Sequence, residues 1–126
     1  MSRIIVIDDD AINRDLLRAR LEAAGHEILE AKDGEEGLKL LETAKPDLIL
    51  LDIMMPRCDG WHVCRKVKAD PTLKNVPVVI ITACTQNIDE LRGYECGADD
   101  YLAKPWDAAQ LRSVVDRLLN PAEAKK

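Results

Sequence analysis

The chain has 126 residues and is 47% hydrophobic, enough apolar side chains for the core of one domain. Its 18 basic and 23 acidic residues give a formal net charge of −5, and the short run Arg65-Lys66-Val67-Lys68 is too small a basic patch to argue for direct nucleic-acid binding. Cys58, Cys64, Cys84 and Cys96 lack metal-type spacing and follow no secretory signal, and no apolar run approaches the roughly 18 residues of a membrane span, so the composition predicts a soluble cytoplasmic protein with reduced thiols.

The run RIIVI over 3–7 predicts a first strand, and Asp8, Asp9 and Asp10 follow it at once. Ile12, Leu16, Leu17 and Leu21 then recur at helical spacing. Asp10 is placed to cap that helix, a role we prefer to metal ligation, and Gly25 is placed to stop it. HEILEA over 26–31 predicts a second strand, and 34–44 a helix weakened by Gly37. The third strand, DLILL over 47–51, delivers a single carboxylate, Asp52, and Gly60 serves the turn beyond it. A helix is predicted over 59–70, a fourth strand over 76–82 ending in Thr82, and a helix over 85–98 interrupted by Gly93. A weaker fifth strand covers 100–104 and ends in Lys104. Leu111, Val114, Val115, Leu118 and Leu119 mark a last helix that Asn120-Pro121 stops. Residues 1–120 thus form one domain, and 121–126 a flexible tail.

So regular an alternation predicts an α/β fold, with parallel strands joined by right-handed crossovers and helices on both faces. Strands covered on both sides read as continuous apolar runs. In such sheets, sites form outside the carboxyl ends of the strands. Asp8, Asp9, Asp10, Asp52, Thr82 and Lys104 all belong to that edge. Two carboxylates about 4 Å apart repel by about 4 kcal/mol at an effective dielectric of 20. A hard divalent cation such as Mg²⁺ removes the repulsion, which points to a metal-assisted phosphoryl site. Lys104 would then neutralise phosphoryl oxygens and Thr82 would hydrogen-bond one of them. Each residue also has a plain structural reading. Asp8 and Asp9 could be turn acids, Asp52 could begin a turn toward Pro56, Thr82 could simply end a strand, and Lys104 could be a solvated charge. Their gathering at one rim favours the site.

The segments IIVIDDD, LILLDIMMPRCDGW, VVIITA and DYLAKPW, in this order and spacing, resemble the receiver domain of bacterial two-component response regulators. The likeness runs from Arg3 to about Leu119. It implies a flavodoxin-like fold: a single doubly wound five-stranded sheet in the order 2-1-3-4-5 with five helices. It implies that Asp52 accepts a phosphoryl group from a histidine kinase or histidine phosphotransfer protein, in a phosphorelay that uses Mg²⁺. Asp9 would bind the metal directly, Asp8 mainly through water, and Met54 through its backbone carbonyl, beside Asp52 itself. Lys104 would contact the phosphoryl group and Thr82 would move to meet it, with Tyr101 changing orientation in step. That movement would switch the face of the fourth helix, fifth strand and fifth helix for a downstream protein target or an output domain. A phosphorylation-linked homodimer is a further implied partner. The likeness also implies a cis Lys104-Pro105 bond and a small residue, Ala83, that leaves room for the switch.

Three positions depart from the family's pattern. Met54 and Cys84, two residues beyond Asp52 and Thr82, offer no carboxylate or amide to orient water against an acyl phosphate, so slow self-dephosphorylation is expected. Trp106 stands where Phe is common after Lys-Pro and is expected to pack with its ring partly exposed. His26 and His62 are expected to be surface or structural residues. Two other functions compete. A haloacid-dehalogenase-type phosphatase would need Thr or Val where Ile12 stands and a cap domain. A phosphorylation-independent interaction module usually lacks the acceptor, an acid or the Lys, and all are present here. No output domain follows the last predicted helix, so the chain reads equally as a single-domain regulator or as a receiver from a longer one.

Overall fold

The computed structural model describes residues 2–52, 60–82 and 97–120. Five strands, β1 (Arg3–Ile7), β2 (Glu27–Ala31), β3 (Leu48–Asp52), β4 (Val78–Thr82) and β5 (Asp100–Ala103), form one sheet in the order β2-β1-β3-β4-β5. Every neighbouring pair is parallel. The described helices are α1 (Ala11–Ala23), α2 (Gly34–Ala44), α3 (Gly60–Ala69) and the C-terminal α4 (Ala108–Leu119). Residues 85–96 of the helix predicted over 85–98 lie outside the described residues, and its last two, Gly97 and Ala98, are not helical, Gly97 standing at φ +89°.

Alternation along the strands divides the core into two layers. Ile5, Ile7, Ile49, Leu51, Val78 and Ile80 meet Leu41 of α2 and Val63, Cys64 and Val67 of α3 on one face. Ile4, Val6, Leu48, Leu50, Val79 and Ile81 meet Leu17 and Leu21 of α1 and Leu111 and Val115 of α4 on the other. The continuous apolar runs are therefore two interleaved stripes, each covered by its own helices.

The helix ends follow their local chemistry. Asp10 caps α1 by accepting the Ile12 N–H, Asp33 caps α2 by accepting that of Glu36, and Asp107 with Gln110 forms a capping box at α4. Gly25, at φ +93°, takes the chain out of α1. Gly37 has a packing reason: a Cβ there would stand 2.6 Å from Ile7 Cδ1, so its absence lets α2 lie close on β1. The apolar stripe expected on α1 is corrected in part. Leu17 and Leu21 are buried, but Ile12 and Leu16 are 72% and 53% exposed, and the buried place one turn before Leu17 belongs to Asn13. The rotation of α1 about its axis aims Asn13, not Ile12, toward the sheet edge.

Candidate functional site

From the central strands the chain departs in opposite directions, from β1 through α1 to β2 and from β3 through α3 to β4, which opens a crevice between their carboxyl ends. Asp8 lies just past β1, its N–H still donating to Ala31 O at 3.1 Å. Asp52 is the last residue of β3, and Lys104 follows β5. The crevice brings them together. Lys104 Nζ lies 3.1 Å from Asp8 Oδ2 and 3.1 Å from Asp52 Oδ2. Asp8 and Asp52 are buried at 1% and 4% exposure, while Asp9 faces solvent.

One carboxylate oxygen from each of Asp8, Asp9 and Asp52 falls within 4.8 Å of the others. That span is near the ~4.2 Å between opposite ligands of a Mg²⁺ octahedron, twice its usual bond to oxygen. Three carboxylates against the one ammonium leave two negative charges uncompensated among these four side chains. A hard divalent cation held by one or two carboxylates and water fits that donor set. Burial is the largest single influence on Lys104 and works against its charge, yet the combined attraction and hydrogen bonding of Asp52 and Asp8 outweigh it and hold the ammonium above the ordinary lysine value. Lys104 is therefore a permanent cation at neutral pH.

Asp8 is held from several sides. Its Oδ1 accepts the Asp10 N–H at 2.9 Å, its Oδ2 accepts Asn13 Nδ2 at 2.5 Å, and its backbone carbonyl accepts Arg14 Nη1 at 2.7 Å. Asn13 Oδ1 in turn accepts the Trp106 indole N–H at 3.1 Å. The sequence reading missed Asn13. The available signal was an amide one turn before Leu17 and two before Leu21 on the buried stripe of α1, where a polar group is tolerated only when it is hydrogen-bonded.

Thr82 ends β4 with its Cα opposite Ala103, at the same rim. Its hydroxyl, together with Met54, Ala83 and Cys84, lies outside the described residues. Tyr101, opposite Ile80, is partly buried against the core layer beneath α2 and α3. Trp106 packs partly buried against the α1–α4 layer, as expected, while also making its bond to Asn13. Lys104-Pro105 is a cis peptide. Asp10 serves as helix cap, the role preferred for it over metal binding.

A family model of the response regulator receiver domain matches residues 4–116. The chain belongs to that family. The receiver is 42% identical over 119 residues to the DNA-binding dual master transcriptional regulator RpaA of Synechocystis sp., covering 94% of this chain and 49% of that protein. It spans about half the length, or less, of the first curated relatives it matches. Among solved structures, the signal receiver domain of a signal transduction histidine kinase from Syntrophus aciditrophicus superposes with a TM-score of 0.89 at 35% identity, covering 96% of this chain and 92% of that one. The response regulator TrrA from Thermotoga maritima, in complex with Mg(2+)-BeF, superposes with a TM-score of 0.85 at 34% identity, covering 94% and 100%. The receiver thus has the flavodoxin-like fold of its family, and no helix among its described residues is long and apolar enough to cross a membrane.

Proposed function

We propose that Asp52 is the phosphoacceptor of this receiver in a two-component phosphorelay. The observation that carries the reading is Lys104 Nζ at 3.1 Å from both buried acids, Asp8 and Asp52, beside a third carboxylate, Asp9. In the transfer, an Asp52 carboxylate oxygen forms a bond to phosphorus as the bond to the donor, a phosphohistidine nitrogen, breaks and takes its electron pair. Asp8, Asp9 and Asp52, with the Met54 carbonyl, would hold Mg²⁺, which supplies charge neutralisation to the phosphoryl oxygens. Lys104 adds a second positive charge and, once Asp52 is phosphorylated, exchanges its carboxylate contact for a phosphoryl oxygen.

The new group carries roughly 1.5 to 2 negative charges. Drawing Thr82 inward to it, with Tyr101 following, is the switch. It biases the surface around β5 and α4 toward a downstream protein target, an output domain or a second copy of the chain. The donor is a histidine kinase or histidine phosphotransfer protein. In this reading residues 1–120 are the receiver unit and 121–126 a tail, and the chain acts in the cytoplasm as a signalling domain that turns over no substrate besides its own acyl phosphate.

Intact-mass analysis after incubation with acetyl phosphate tests the reading. One added phosphoryl group is expected, requiring Mg²⁺ and lost completely in Asp52→Asn. An unmodified wild-type chain would turn the reading toward a phosphorylation-independent module, and steady turnover of small phosphate esters toward a phosphatase. Decay of the same species tests the second part. Replacing Met54 with Asn and Cys84 with Glu should shorten its lifetime, and an unchanged lifetime removes these positions from the account.

A further inference from the structure

Asn13 spans two partners that together accept only one orientation of its amide. The Trp106 indole N–H can only donate, and the Asp8 carboxylate accepts. With Oδ1 toward Trp106 at 3.1 Å and Nδ2 toward Asp8 at 2.5 Å, both bonds are made. With the amide inverted, both fail, since NH₂ would meet N–H and oxygen would meet carboxylate. Asn13 is only 8% exposed, so water is poorly placed to substitute for either partner.

We propose that Asn13 and Trp106 are positioning residues for Asp8. The indole N–H sets which end of the Asn13 amide faces the carboxylate, and the amide holds Asp8 Oδ2 in the orientation used for cation binding. The inference rests on the Mg²⁺ site proposed above. Asp8 Oδ2 also receives Lys104 at 3.1 Å, and Oδ1 receives the Asp10 N–H at 2.9 Å, so the amide completes a set of donors that fixes the plane of the carboxylate. The consequence belongs to this chain because a Phe after Lys-Pro would have no N–H to offer, leaving the amide held at its Asp8 end alone. Trp106 immediately precedes Asp107, the cap of α4. The cation site is thereby tied to the start of that helix as well as to α1.

The test is Mg²⁺ affinity, by titration calorimetry on the full chain, for the wild type, Trp106→Phe, Asn13→Ala and the double variant, alongside urea unfolding of each metal-free protein. Groups that orient metal ligands commonly change affinity by about 10- to 100-fold. Here Asn13→Ala should weaken Mg²⁺ binding by about tenfold and Trp106→Phe by about threefold. In the Asn13→Ala background, Trp106→Phe should have no further effect, because the indole acts only through the amide. A purely structural role would instead lower the urea midpoint of Trp106→Phe and leave its Mg²⁺ affinity at the wild-type value. That result, or a further loss of affinity in the double variant, overturns the inference while the proposed site stands. If Asn13→Ala does not fold, Trp106→Phe alone decides. Failure of the wild type to bind Mg²⁺ overturns the site and the inference together.

Discussion

On the flank between α1 and β2, Arg14 and Arg18 meet Glu30 and Glu22 with two positive charges against two negative, whereas at the carboxyl rim one ammonium, Lys104, bridges Asp8 and Asp52 with Asp9 beside them, one positive charge against three negative among these four side chains. The flank side chains keep 18% to 49% of their surface in solvent. At the rim, Lys104 keeps 21%, Asp8 2% and Asp52 4%. The same chemical vocabulary therefore has opposite outcomes. Balanced charges in water need nothing more and contribute little. A surplus of buried negative charge leaves the rim dependent on its lysine and in need of a further cation.

Removing the lysine should break the contrast most severely. Lys104→Met leaves Asp8 and Asp52 buried beside each other without their ammonium, and should lower the unfolding free energy of the metal-free protein by about 3 kcal/mol. Urea unfolding measures it, and a loss no larger than that of a flank substitution would mean the rim is not under electrostatic load. The pH dependence has a definite sign. Because the folded Lys104 is held above its ordinary value of 10.5, its contribution is complete below that pH and disappears as pH rises through the higher folded value. The difference between wild type and Lys104→Met should accordingly persist across the neutral range and narrow only in strong alkali.

Mg²⁺ should sharpen the contrast from the other direction. At about 100 times its dissociation constant it should stabilise the wild type by about 2.7 kcal/mol. Glu30→Gln on the flank should keep that response and Asp9→Asn should lose most of it, as thermal unfolding with and without the ion would record. Equal responses in the two variants would place the cation elsewhere.

The smallest effect belongs to the flank itself. Arg18→Ala gives up ion pairs to Glu30 at 2.6 Å and Glu22 at 3.0 Å and should cost about 0.5–1 kcal/mol at low salt. The loss should shrink at high salt, because exposed pairs are screened. A salt-independent loss would show that the arginine acts through packing of its stem instead.

Much of this arrangement could be read from residue order. β1, β3 and β4 are apolar on both faces, so their runs stood out, and the acids one residue past β1 and at the end of β3 could be assigned to one rim by counting. Asp10 as a cap and Gly25 as a stop were readable for the same reason, since capping and left-handed backbone are local requirements. Ile12 and Leu16 misled because helical spacing defines a stripe without stating its rotation against the sheet. Gly37 looked like a weak point in α2, and its reason, the side chain of Ile7 beneath it, belongs to another element.

By itself the sequence determined the alternation of strands and helices, the two-sided burial of the sheet and the identity of the groups delivered to its carboxyl edge. These follow from side-chain polarity and backbone preference over a few residues. Which of those groups meet was decided only by tertiary structure. Lys104 reaches Asp52 across 52 positions of sequence and Trp106 reaches Asn13 across 93. Such hydrogen bonds depend on how β5 returns beside β4 and how the loop beyond it settles against α1. That distance and direction come from the packing of whole elements, which no local pattern of residues encodes.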